Sequence, residues 1–173
     1  LFRSDFDKND KDGFFSKMYE AYNFFTVVIC SGLIVFTKVF ARLLYAKDFY
    51  EAWKYTPFLL VSIVFGAMSG YIGGIFSAVK DSKIYSYSTM IGALSNIMLN
   101  IFLVKMIGAM GAAIATMVSY FIVWQIRIFN VKKYMKLDIN LYTHYLSYSL
   151  LVIQSIIMII SPKYIYILQI VTF

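Results

Sequence analysis

The residues of this chain that are best suited to do chemistry are a few polar side chains inside apolar segments. Asn96 and Asn100 lie four residues apart in NIMLNIFLV, and Lys38 and Arg42 lie four apart in TKVFARLL. Residues at this spacing share one face of a helix. A primary amide without partners in an apolar environment is costly, so the two asparagines are expected to face protein or a water-filled cavity.

Each pair leaves two interpretations open. The asparagines could form hydrogen bonds between helices, worth about 0.6–2 kcal/mol each, or they could line a substrate pathway. The cations could extend to the lipid headgroups, as cations near the end of a spanning helix commonly do. If Lys38 and Arg42 instead both face inward, they form a basic patch suited to phosphate. The candidate substrate-binding residues are therefore Asn96, Asn100, Lys38 and Arg42.

Catalytic and metal-binding patterns are weak in this sequence. Asp48 and Glu51, in YAKDFYEAWKYTPF, could pair as catalytic acids, but they have no neighbouring His, Cys or third acid, and a solvated turn is expected there. The chain has one cysteine, Cys30, and one histidine, His144, and no nucleotide-binding loop. We therefore expect no metal site, no cofactor and no enzymatic activity.

Composition indicates a membrane protein. The chain is 61% hydrophobic and 14% charged, with a mean hydropathy of +0.72. A soluble domain of this length could not hide so much apolar surface from water. The excess of 16 Lys and Arg over 9 Asp and Glu is explained better by basic cytoplasmic loops than by binding to nucleic acid.

The positions of the apolar segments predict an all-α, polytopic transmembrane bundle. Residues 1–21 are expected to be a cytoplasmic or interfacial segment, with a short helix that begins after Asp12 as its N-cap. Residues 22–173 are expected to be the bundle, and its predicted spans are 22–41, 57–79, 85–104, 109–128, 142–160 and, as the first half of a sixth helix, 164–173. Because the chain begins at Leu1 and ends inside an apolar run, it is expected to be a fragment of a longer protein.

Small residues recur every four positions in three successive predicted helices. Such stripes let helix backbones approach closely in lipid. The predicted packing positions are Gly66, Gly70, Gly74, Gly111 and Ala115. The N-terminal segment and the connections on its side contain ten basic residues, counted with Arg127, against six on the other side, which predicts a cytoplasmic N-terminal segment.

Three stretches carry a resemblance to a known family. They are LLYAKDFYEAWKYTPFLL, SGYIGGIFSAVKDSK and SNIMLNIFLVKMIGAMGAAIATMVSYFIVWQIR. Over about residues 10–135 the chain resembles the C-terminal half of bacterial polysaccharide-biosynthesis flippases, which belong to the multidrug/oligosaccharidyl-lipid/polysaccharide exporter superfamily. The resemblance implies that the chain is part of the second lobe of a two-lobe exporter in the cytoplasmic membrane of a bacterium.

The resemblance further implies the translocation of polyprenyl-pyrophosphate-linked oligosaccharides, such as O-antigen or capsule repeat units. Its implied partners are the lipid-linked oligosaccharide, membrane lipids, a coupling ion (H⁺ or Na⁺) and other polysaccharide-assembly proteins. The five full predicted spans contain no Asp or Glu, so any coupling carboxylate is expected in the missing part of the longer protein. The alternatives are a drug or toxin exporter of the same superfamily, a membrane-embedded polymerase or acyltransferase, and a purely structural membrane subunit.

Overall fold

The computed structural model describes residues 10, 13–44 and 47–160, and within them it is all-α. The helices are α1 (Phe14–Leu44), a short 3-10 helix (Lys47–Lys54), α2 (Thr56–Ala78), α3 (Ser82–Ile107), α4 (Ala109–Val131) and α5 (Leu141–Ile160). The five α-helices are each long and apolar enough to cross a membrane. The predicted all-α bundle of membrane-spanning helices is therefore confirmed, and the chain is a multi-pass membrane protein.

The first helix differs from its prediction. The expected interfacial helix and the span that follows it form one continuous helix of 31 residues, about 46 Å long at 1.5 Å per residue. Its start is held by Asp10, whose carboxylate accepts from the backbone N–H groups of Phe15 and Ser16 at 3.0 Å. The predicted cap, Asp12, and the predicted half-helix 164–173 lie outside the described residues.

This extension of α1 corrects one expectation about acidic residues. Glu20 is the single Asp or Glu of the five helices. It was assigned to the segment before the first span, but it lies inside α1, almost two turns after its first residue. A carboxylate is therefore present within this bundle.

The connections between the other helices have identifiable local causes. Pro57 lies in the first turn of α2, where its missing N–H removes no helical hydrogen bond. The Asp81 side chain accepts from the backbone N–H of Lys83 and so caps α3. A single residue, Gly108, joins α3 to α4, and its φ of 60° is a conformation that glycine adopts without strain.

Helix α4 is the central element of the bundle. Helices α2 and α3 both pack along α4, while α1 packs against α2 and α5. The buried face of α4 includes the small residues Gly111, Ala113, Ala115 and Ser119, which permit this close packing. Only Ser88 and Gly92 of α3 are buried, so most of its apolar side chains are available to lipid.

One end of the bundle contains the start of α1 and the connections that follow α2 and α4. There the backbone N–H of Asp138 donates to the Ser16 hydroxyl at 3.0 Å. The Tyr134 hydroxyl donates to the Asp81 carboxylate at 2.6 Å. We call this the N-terminal end, and it is the end for which the basic residues predict a cytoplasmic location.

Candidate functional site

A groove about 500 Å³ in volume lies between α2, α3 and α4, and it is the best candidate for a binding site. We call it the polar groove. Its lining residues are Gly66, Ser69, Gly70, Tyr85, Thr89, Gly92, Ala93, Asn96, Thr116, Ser119, Tyr120, Val123 and Arg127. The small residues of α2 and α3 leave the space, and hydroxyl, amide and guanidinium groups make part of its wall polar. This volume is within the range of about 300–1,000 Å³ that is typical of small-molecule sites.

Arg127 supplies the charge of the polar groove. The side chain is only 4% exposed. Its Nε donates to the Ser88 hydroxyl, Nη1 donates to the backbone carbonyl of Ser69, and Nη2 donates to the Thr89 hydroxyl, each at 2.9 Å. The guanidinium carbon lies 4.2 Å from the centre of the Tyr85 ring, in a cation–π contact.

These contacts orient Arg127 without neutralising it. Among the described residues, Lys54 forms an ion pair with Glu51 and His144 contacts Glu20, and neither pair involves Arg127. The partners of its guanidinium are two hydroxyls, one carbonyl and an aromatic ring, all of them uncharged. Because a guanidinium carries five N–H groups, two of them remain beyond the three bonds described. The groove therefore presents a fixed positive charge.

The groove runs from near the N-terminal end of the bundle toward its middle. Arg127 lies four residues, or about 6 Å, before the end of α4. Thr116, at the other end of the lining, is 11 residues earlier on α4, about 16 Å away along the helix axis. A charged group at one end is thus continuous with hydroxyl and amide groups deeper in the bundle.

The structure gives the two asparagines different positions. Asn96 lines the polar groove, and its Nδ2 lies 3.5 Å from the Thr116 hydroxyl, a long and weak hydrogen bond. Asn100 is not among the lining residues. Its Nδ2 donates to the backbone carbonyl of Asn96 at 2.8 Å and to its side-chain oxygen at 3.0 Å. Asn100 therefore orients Asn96, and only Asn96 faces the groove.

The two candidate cations of α1 do not join this site. The Lys38 ammonium lies 4.4 Å from the centre of the Trp53 ring, on the 3-10 helix, and the side chain is buried. Arg42 is exposed in the last turn of α1. Both lie toward the end of the bundle opposite to Arg127, and neither lines the groove. The structure therefore does not bring Lys38 or Arg42 together with the asparagines.

The predicted packing glycines have two roles. A Cβ added at Gly66 would touch the Tyr120 ring at 3.4 Å, and one added at Gly111 would collide with the backbone of Leu103. Ala115 is fully buried. At Gly70 and Gly74, by contrast, an added Cβ would meet nothing within 4 Å. The α2 stripe therefore packs at Gly66 and opens the groove at Gly70 rather than forming one continuous contact.

The sequence did contain a signal for Arg127, which we had counted among the basic residues of a cytoplasmic connection. The small residues Gly111, Ala115 and Ser119 continue at the same spacing of four through Val123 to Arg127. This spacing puts the arginine on the buried face of α4. Its partners on α2 and α3 were not recognisable, because serine and threonine are common in membrane helices.

Comparison with known proteins adds no relative, since no family model, no curated protein and no solved structure matches the chain. The fold and the groove therefore define its class on their own. It is a multi-pass α-helical membrane protein with a polar, positively charged groove between three of its helices.

Proposed function

We propose that this chain forms part of a transporter that moves a polyprenyl-pyrophosphate-linked oligosaccharide across the bacterial cytoplasmic membrane. This is the activity of the flippases that the sequence resembles. The observation that carries the proposal is Arg127, a buried cation without a carboxylate partner among the described residues, at one end of the polar groove.

The physical argument begins with the cost of the charge. Burying an ionised side chain away from water is costly, and ionisable residues inside membrane helices usually mark a functional site. The bonds to Ser88, Ser69 and Thr89 fix the plane of the guanidinium but leave its charge in place. An anion that accepts the remaining N–H groups would compensate the charge. Phosphate oxygens match the planar fork of arginine especially well.

The rest of the groove suits an uncharged, hydroxyl-rich group attached to that anion. Asn96, Thr116 and Tyr120 offer amide and hydroxyl groups deeper in the bundle. The outer face of α3 is apolar and exposed, with Phe102 67% exposed, so a polyprenyl chain could remain in lipid beside the groove. A second lobe facing the groove would complete the cavity, and rocking of the two lobes would give alternating access.

The positive charge also bears on the alternatives. A cationic drug would be repelled by Arg127, so the groove favours an anionic cargo over the drug or toxin exporter. With the N-terminal end in the cytoplasm, Arg127 would meet the pyrophosphate on the leaflet where lipid-linked sugars are assembled. The proposal therefore assigns Arg127 to the initial capture of the cargo.

Binding of a defined anionic lipid tests this assignment. The full chain is purified in detergent, and its thermal unfolding is measured with polyprenyl pyrophosphate and, separately, with the neutral polyprenol. Pyrophosphate should stabilise the wild type, by about 2.7 kcal/mol when the ligand is at one hundred times its Kd. Polyprenol should have little effect, because it shares the tail but lacks the anion.

Two variants make this test specific. Arg127→Gln should lose the pyrophosphate-dependent stabilisation, whereas Arg42→Gln, which removes an exposed cation at the opposite end, should keep it. If Arg127→Gln does not fold, Arg127→Lys takes its place, since it keeps the charge but loses the planar fork. Equal stabilisation of the wild type and the Arg127 variant by pyrophosphate would contradict the proposal.

A further inference from the structure

A second groove lies between α4 and α5, and it shares no lining residue with the polar groove. We call it the apolar groove, and its volume is about 360 Å³. Its wall is mainly aliphatic and aromatic and includes Phe65 of α2, Phe121 of α4 and Val152 of α5. The Phe65 and Phe121 rings pack edge to face, with their centres 5.2 Å apart.

The polar groups of this lining are few, and two of them are engaged with other side chains. The Tyr145 hydroxyl donates to Gln125 at 2.8 Å, and the Tyr148 hydroxyl donates to Asn23 at 2.7 Å. Ser149 adds one exposed hydroxyl. Water needs about two to four polar partners to remain in a cavity. The apolar groove therefore suits hydrocarbon rather than water.

The depth of the apolar groove points to the ends of lipid chains. Phe65, Phe121 and Ser149 each lie near the midpoint of their helices. Because these helices are long enough to cross the bilayer, their midpoints lie near its midplane. Ile153, in the lining, is 50% exposed, so the groove is open on one side. That opening meets the interior of the bilayer.

A cation lies one leaflet away from the groove. Lys132 directly follows α4 at the N-terminal end of the bundle and is exposed. It comes 11 residues after Phe121, about 16 Å along the helix axis. The hydrocarbon core of a bilayer is about 30 Å thick, so half of it is about 15 Å. A lipid with its headgroup beside Lys132 therefore has chains long enough to reach the groove.

The charge around Lys132 favours an anionic headgroup. The connection after α4 also carries Lys133 and Lys136, both exposed. Asp138 is its one acid, and it lines a small recess together with Lys132. Among the described residues, however, Asp138 forms no ion pair with a lysine. Each lysine near the membrane surface strengthens the binding of anionic lipid.

The path from Lys132 to the groove is apolar and exposed. Phe129 is 55% exposed, and the Lys132 ammonium lies 6.0 Å from the centre of its ring. Leu146, on α5, is 50% exposed. Between them in depth, Gln125 and Tyr145 exchange two hydrogen bonds, at 2.7 and 2.8 Å, and hold α4 to α5. A lipid chain would thus pass over this link and enter the groove beyond it.

We propose that the apolar groove binds one acyl chain of an anionic phospholipid, whose phosphate is held by Lys132 at the N-terminal end of the bundle. The occupant is a phospholipid of the bilayer and differs from the proposed cargo, whose anion is assigned to Arg127 between α2, α3 and α4. The inference does not rest on the proposed function, since it uses no residue of the polar groove.

Trp124 can report on the chain directly. Its ring centre lies 5.9 Å from that of Phe121 and 5.2 Å from that of Tyr148, and both of these rings line the groove. The other tryptophan, Trp53, lies on the 3-10 helix, and Trp53→Phe removes its emission. If that variant does not fold, Trp53→Tyr replaces it and also keeps a ring beside Lys38.

Quenching of Trp124 by brominated lipid is the measurement. The full chain is reconstituted in bilayers of phosphatidylcholine that contain a small fraction of phospholipid brominated near the ends of its chains. The brominated lipid is either phosphatidylglycerol, which is anionic, or phosphatidylcholine, which has no net charge. At equal fractions, the brominated phosphatidylglycerol should quench Trp124 more strongly.

Two pairs of variants separate the headgroup from the chain. Lys132→Gln should weaken the binding of phosphatidylglycerol roughly fivefold, the effect expected of one lysine near a headgroup. Lys83→Gln, which removes an exposed lysine at the start of α3, should leave it unchanged. Ser149→Phe fills the groove and should reduce quenching by both lipids, whereas Ser86→Phe, on the exposed side of α3, should not. If Ser149→Phe does not fold, Ser149→Leu takes its place.

Three results would overturn the proposal. The first is equal quenching by the two brominated lipids in the chain with Lys132. The second is an equal effect of Lys132→Gln and Lys83→Gln on the binding of phosphatidylglycerol. The third is relief of quenching by added polyprenyl pyrophosphate, which would assign the groove to the tail of the cargo instead of a phospholipid.

Discussion

Replacing Gly111 by alanine tests the close contact at the turn between α3 and α4. A Cβ added at Gly111 would lie closer than 3.0 Å to the carbonyl carbon and oxygen of Leu103 and to the backbone nitrogen of Val104. These are backbone atoms and cannot rotate away, and the single linking residue, Gly108, gives the two helices little freedom to slide. The helices must therefore move apart, and overpacking of this kind typically costs about 1–3 kcal/mol.

The helical preference of alanine offsets part of that cost. It is worth up to about 1 kcal/mol relative to glycine. Subtracting this preference from the cost of overpacking leaves a loss of about 0–2 kcal/mol. Because the obstacle is backbone, which cannot move aside, we expect Gly111→Ala to lower the free energy of unfolding by about 1–2 kcal/mol, the upper part of that range. The measurement is the equilibrium unfolding of the purified chain by sodium dodecyl sulfate in mixed micelles, with the change in free energy taken relative to wild type.

Gly74→Ala is the matched control for this prediction. It makes the same chemical change within a helix, but its Cβ would meet nothing within 4 Å. Its free energy of unfolding should therefore stay the same or rise by up to about 1 kcal/mol. If Gly111→Ala proves as stable as Gly74→Ala, the turn between α3 and α4 is looser than the structure has it, and the packing argument for Gly111 is wrong.

Two further predictions concern the N-terminal end of the bundle. If this end is cytoplasmic, a cysteine at Ser82 should resist an impermeant thiol reagent in intact cells while one at Glu51 reacts, and the reverse pattern would invert the topology. The hydrogen bond from Tyr134 lowers the pKa of the Asp81 carboxyl. A carboxyl whose pKa is lowered by folding stabilises the fold above the ordinary aspartate range, and this stabilisation is lost as pH falls through the lowered value. Tyr134→Phe should therefore be destabilising at neutral pH and match wild type in strong acid. A difference in thermal stability that is independent of pH would contradict this origin.

Much of the fold could be predicted from the sequence because it depends on local properties. Runs of about 20 apolar residues determine the number of spans, and the predictions for α2, α4 and α5 came within a few residues of the observed helices. Residues 14–21 were predicted to form a separate interfacial helix because they are too polar to indicate a span, whereas in the structure they are the first turns of α1. For the spans and for the start of α1 alike, the sequence pattern indicated which residues are apolar rather than which residues are helical.

The candidate site was only partly predictable. Asn96 was recognised because an amide inside an apolar run requires a partner or a cavity, wherever the helix packs. Arg127 was read as a loop cation, although its spacing from Ser119 put it on the buried face of α4. For Lys38 the sequence left open whether it extends to the headgroups or binds an anion, and in the structure its ammonium lies against the ring of Trp53.

The sequence by itself thus determined that the chain lies in a membrane and, among the described residues, the number of helices that can span it. Only the tertiary structure decided which of these faces meet. It brought Ser69 and Ser88 to Arg127 from two other helices, and it brought Glu20 of α1 to His144 of α5. Periodicity along a helix follows from local geometry, whereas contacts between residues 39 to 124 positions apart depend on how all the helices fill space together.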